Sequence, residues 1–243
     1  MLLLVGCSGA GSEPQAAVST PIPTTVGGTV PVPTVTLSSA PPTDAAVPPE
    51  LPEEATAPPP ATAGPLTARN LPTPEKLGTG WKTYVDPGGV EEGFLGNKTW
   101  TRKRAAHQAA FEALPLGCAG KLPTGSLPVP QYALQGAYRT ADAQPATALL
   151  LRFADPAKAA AYRTGYQARM TACGSGGDLS VTPLWSEDSA AASVRRYAGA
   201  EAYADVSVLQ GSTVALLAAA SIDKPAAWAH SVVPALEAVV DSP

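Results

Sequence analysis

The residues able to do covalent or acid–base chemistry are few, and their spacing says what they do not form. The chain has two histidines and three cysteines. His107 and His230 fall in stretches with helical patterning, without a Ser or Cys nucleophile in a known motif beside them. No Gly-x-Ser-x-Gly elbow occurs. Gly174-Ser175-Gly176-Gly177 reads as a flexible loop, because a phosphate cradle must join a strand to a helix N-terminus. Glu91-Glu92 and Glu187-Asp188 are adjacent acids in polar loops and read as solvated charge. Glycoside-cleaving acids must face each other across a groove. Two cysteines and two distant histidines lack metal-ligand spacing. The expectation is no catalysis, no metal and no cofactor.

Cys7 carries a different chemistry. Leu4-Val5-Gly6-Cys7 looks like a bacterial lipobox, in which the thiol receives a diacylglyceryl group and a peptidase cuts just before it. Small residues before the Cys admit the peptidase, and apolar ones end a signal peptide. Residues 1–7 therefore read as the end of a lipoprotein signal. Only six residues precede Cys7 and none is basic, so a start upstream of Met1 or a trimmed chain is expected. Acyl chains on this Cys give a stable membrane anchor. In an exported chain the even remainder, Cys118 and Cys173, suggests a disulfide, with two buried thiols as the alternative.

What must position these residues is unevenly built. Of 243 residues 27 are proline, and 14 of the prolines fall in residues 1–68. That segment has no Lys, Arg, His or aromatic residue, so it cannot bury enough apolar surface to offset its chain entropy. Residues 8–68 read as a disordered Pro/Thr/Ala-rich tether, up to roughly 190 Å long as polyproline II and nearer 40 Å as a coil. Net charge is −4, with Glu13, Asp44, Glu50, Glu53 and Glu54 all in the tether. The remaining 69–243 are nearly neutral, which excludes the electrostatic footprint of a nucleic-acid binder. Arg102-Lys103-Arg104 reads as a solvated face, and Asn97-Lys98-Thr99 as an accidental glycosylation match.

Within 69–243 the patterning predicts a short strand over 81–85, a helix over 102–114, strands over 132–140 and 146–153, and a helix from Pro156 to about Ala172 capped by Asp155. Strands follow over 179–185, 191–197, 202–209 and 213–220, then a helix from about Lys224. Pro234 should kink or shorten it. Tyr162, Tyr166 and Met170 form a core stripe, and Val206, Val208, Val214 and Leu216 fit inward positions. Hairpin connections predict an α+β fold, a single antiparallel sheet with helices packed on one face.

Residues 153–173, ending in Cys173, and the hairpin from Arg195-Arg196-Tyr197 through Val206-Ser207-Val208-Leu209-Gln210-Gly211-Ser212-Thr213-Val214 carry a resemblance. Over roughly 71–240 the chain resembles the extracellular sensor domain of the PknH-type actinobacterial receptor kinases, which also occurs alone on secreted lipoproteins. The resemblance implies an antiparallel α+β domain, a groove, a ligand from the cell envelope and no catalysis. Two features depart from it. The family carries two disulfides where this chain has cysteines for one, and no kinase or spanning segment is present, so signalling across a membrane is not carried over. The expected function is a non-catalytic sensor or ligand-binding domain on the extracytoplasmic face. A lipid or glycolipid carrier, and an envelope enzyme or inhibitor, are the alternatives. Arg152, a cation in an apolar strand, is the leading ligand-binding candidate, with Tyr138, Arg195 and Tyr203 beside it.

Overall fold

The computed structural model describes residues 58–85 and 98–240. Cys7, tether residues 8–57, Glu91-Glu92 and Asn97 lie outside the described residues. The described residues form one eight-stranded antiparallel sheet: β1 (Lys82–Thr83), β2 (Thr101–Arg104), β3 (Tyr132–Arg139), β4 (Pro145–Arg152), β5 (Leu179–Ser186), β6 (Ala190–Tyr197), β7 (Ala202–Gln210) and β8 (Thr213–Ala220). The order is β1-β3-β4-β8-β7-β6-β5, with β2 pairing the other half of β3 beside β1. The helices are α1 (Pro74–Leu77), α2 (Ala106–Glu112), α3 (Pro156–Cys173) and α4 (Pro225–Val240).

Local chemistry sets the corners. Asp155 accepts a hydrogen bond from the Lys158 amide at 2.8 Å and Pro156 opens α3, so the chain leaves β4 directly into a helix. Gln210 pairs with Thr213, leaving a two-residue loop in which Gly211 takes a left-handed φ of 52°. α3 crosses from β4 to the far edge at β5, and the meander β5–β6–β7–β8 returns until β8 lies beside β4.

This path covers both faces of the sheet, where one covered face was expected. α3 and α2 pack over Leu151, Val214, Leu216 and Val181. α4 packs over Leu150, Val206, Val208 and Leu217. Neighbouring residues Leu150 and Leu151 thus point into opposite cores. The four residues read as inward all are, but Val206 and Val208 face α4 while Val214 and Leu216 face α3. Central strands buried on two sides lose polar alternation, as the burial of β8 along almost its whole length shows.

Three boundaries also move. Residues 101–104 pair with β3 as a strand, so the helix expected over 102–114 begins only at Ala106. Ala63 and Leu66 are buried in the α4-side core, so packing starts ahead of the 68/69 boundary. α4 runs through Pro234 to Val240, and Pro234 is exposed, which puts the lost backbone bond on the solvent side. Side chains bind the early segment to α4: Asn70 Nδ2 donates to the Val239 carbonyl and Trp228 Nε1 to that of Leu77. Cys118 and Cys173 are joined in a disulfide, Cα atoms 5.0 Å apart, next to a bridge between Cys118 and Leu179 on β5.

Candidate functional site

On the α3 side of the sheet, one end of β4, β8, β7 and β6 is half-buried rather than buried. Register brings its side chains together: Thr147 opposite Ala218, Leu149 opposite Leu216, Ala218 opposite Asp205, and Tyr203 opposite Arg195. Tyr166 of α3 and Glu112 and Ala113 at the end of α2 wall this end. The result is a groove of about 430 Å³ with a mostly apolar floor.

Its polar centre is an ion pair. Arg195 Nη2 donates to Asp205 Oδ1 at 2.9 Å, and the side chains are 15% and 7% exposed. Asp205 Oδ2 and Arg195 Nε are shut off from water with no hydrogen-bond partner. Burial pushes the Asp205 carboxyl up to about 6, against the pull of Arg195. For Arg195 burial works against the charge, but Asp205, Tyr166 and Tyr197 outweigh it and hold the guanidinium more firmly protonated than usual. Burial and then Asp205 raise the Tyr166 hydroxyl. Burial also raises Tyr203, whose hydroxyl donates to Glu201 Oε1 at 3.1 Å. The Arg195 guanidinium carbon lies 5.9 Å from the Tyr197 ring centroid.

Of the four expected ligand-binding residues, the structure brings two together here, Arg195 and Tyr203. Tyr138 is buried in the α4-side core and its hydroxyl donates to the Pro72 carbonyl at 2.7 Å. It also borders a small cleft of about 160 Å³ with Trp100 and Arg139. Arg152 lies at the end of β4 that faces away from the groove and donates to Thr213 Oγ1 at 3.1 Å. Asp205, Tyr166 and Tyr197 join the groove without having been singled out for it. Asp205 carried the same cue as Arg152, a charge at an alternating position of an apolar strand, in Ala204-Asp205-Val206.

The histidines sit elsewhere. His230 stacks on Trp185 with ring centroids 4.6 Å apart. His107 borders an apolar cleft of about 480 Å³ between α2 and residues 115–130. Two of the polar side chains of that cleft are already used: the Tyr162 hydroxyl donates to the Ala110 carbonyl, and Arg169 to those of Gly165 and Gly125. Among the described residues no group of three or more His, Cys, Asp or Glu is placed to hold a metal ion, and no helix is long and apolar enough to cross a membrane.

No known family model and no curated protein matches the chain. Among solved structures, the crystal structure of the extracellular domain of PknH from Mycobacterium tuberculosis is similar at 11% identity with a TM-score of 0.34. The match covers 44% of this chain and 64% of that one, less than two thirds of its length. A similarity at this level assigns neither a family nor a function.

Proposed function

We propose that this chain is an exported lipoprotein whose folded domain is a non-catalytic sensor or ligand-binding module for a cell-envelope ligand, anchored on the extracytoplasmic face through an acylated Cys7. The observation that carries the binding reading is the groove itself. A buried Arg–Asp pair is weak as a stabilising device, because desolvation offsets its attraction and apolar replacements often do as well. Here the pair holds a guanidinium at the wall of a concave, largely apolar site, with Tyr166 and Tyr203 beside it, a combination suited to orienting a ligand. The lipobox and the proline-rich tether support the address.

The test is native mass spectrometry of the full chain after exposure to an envelope extract of its source cells. The wild type should retain a defined mass adduct. Ala218→Trp, which fills the half-buried floor, should lose it while keeping its circular dichroism spectrum. An adduct that survives Ala218→Trp would place binding outside the groove, and no adduct at all would remove the reading. Cys7→Ala should move the protein from the detergent to the aqueous phase on Triton X-114 partition. Retention in the detergent phase would sink the anchor.

A further inference from the structure

The charge balance of the groove limits what can enter it. Arg195 and Asp205 neutralise each other, and Glu112 at the rim is paired with Arg104. A fully charged ligand must bring an unpaired charge into a partly desolvated site or pull one partner from the other, and both are costly.

The remaining hydrogen-bonding capacity is mixed. Among the described residues only Nη2 of Arg195 has a hydrogen-bond partner, and Nη1 is not among the enclosed unpaired atoms, so this groove-lining residue keeps a donor to offer. The Tyr203 hydroxyl gives its proton to Glu201 and keeps its lone pairs to accept with. The Tyr166 hydroxyl has no hydrogen-bond partner among the described residues and can do either. Asp205, 5% exposed, does not reach the ligand through its enclosed Oδ2. It is a positioning residue that holds the guanidinium with one edge outward. A carboxylate or phosphate matches only the donors, and an ammonium only the acceptors. Hydroxyl groups match both, and Leu149, Leu216 and Ala218 offer an apolar floor for a C–H ring face.

We infer that the groove takes a neutral, polyhydroxylated ligand with an apolar face, a glycoside. This rests on the groove being a binding site, and the test separates the two. The full chain is titrated with four probes sharing one tail and kept below their micellar concentrations: n-octyl β-glucoside, n-octyl β-galactoside, n-octyl phosphate and n-octylammonium, read by tyrosine ring NMR shifts. At least one glycoside should bind about 10-fold tighter than either charged probe, the margin of one or two well-made hydrogen bonds. Tyr166→Phe should weaken that glycoside about 5-fold and the charged probes less. Arg195→Met should weaken it further, and Tyr166→Phe stands alone if Arg195→Met fails to fold. Charged probes that bind as tightly as the glycosides, or a glycoside indifferent to Tyr166→Phe, would overturn the ligand class and leave the groove as a site. No binding by any probe, together with no retained adduct from the envelope extract, would overturn both.

Discussion

Asp205 lies in the sheet interior with one oxygen on Arg195 and the other without a partner. Burial carries its carboxyl from an ordinary 3.8 up to about 6, so between those values the folded state holds a proton that the unfolded chain has lost. The stability contributed by that proton is complete below the lower value and is lost as pH rises through the higher one. The shift corresponds to roughly 3 kcal/mol. Asp205→Asn removes the titration. Urea unfolding of wild type and variant from about pH 4 to about pH 7 should show the wild type falling relative to the variant by roughly that amount. A flat difference would mean that Asp205 ionises as it does in water. Residues of this kind were half legible in the sequence. A lone charge in an apolar strand marks itself, as Arg152 did. Which charges meet depends on strand register and on where α3 crosses, and neither is written locally. Arg195 and Asp205 are ten positions apart yet adjacent in space, whereas Arg152 ends at the other end of its strand.

At the level of elements, the hairpin joining β5 and β6 is pinned by one side chain. Arg163 of α3 donates to the Asp188 carbonyl at 2.7 Å and to the Glu187 carbonyl at 2.9 Å. These charge-assisted bonds tie α3 to a turn that has no apolar core of its own. Arg163→Leu keeps the stem and removes both donors, so it should cost about 2 kcal/mol and speed amide hydrogen exchange in residues 187–191 more than elsewhere in the sheet. Exchange raised uniformly across β5–β8 would mean that Arg163 supports the whole fold rather than the hairpin. The element best foreseen was one with local chemistry at its end, the Asp155-Pro156 start of α3. Residues 101–104 were missed as a strand because their pairing with β3 is tertiary, while the alanines after them favour a helix. The second covered face was missed for a related reason. An apolar run such as Ala215-Leu216-Leu217 reads as inward without saying into which core, and the two cores divide it residue by residue.

For the whole molecule, the disulfide decides how the far edge of the sheet is held. β5 is an edge strand, reached only through α3, and an unpaired edge is the part of a sheet most prone to open. Cys173 is the last residue of α3, and Cys118 follows α2 and bridges to Leu179 at the start of β5. The bond therefore ties the loop after α2 and the end of α3 to one corner of that edge. It closes a loop with a sequence separation of 55, which constrains the unfolded chain by about 4 kcal/mol in the loop-entropy account. A domain of this size loses a few degrees per kcal/mol, so Cys118→Ser/Cys173→Ser should melt about 10 °C lower than wild type. The groove adjoins this corner, since Leu179 pairs with Tyr197 and Val181 with Arg195, but its ion pair joins β6 to β7 and does not touch either cysteine. The variant should therefore keep its affinity for the groove probes at temperatures where it is folded. A melting point shared with wild type would show that the unfolded chain is already compact around this corner. Affinity lost with the fold intact would show that the edge and the groove move as one unit.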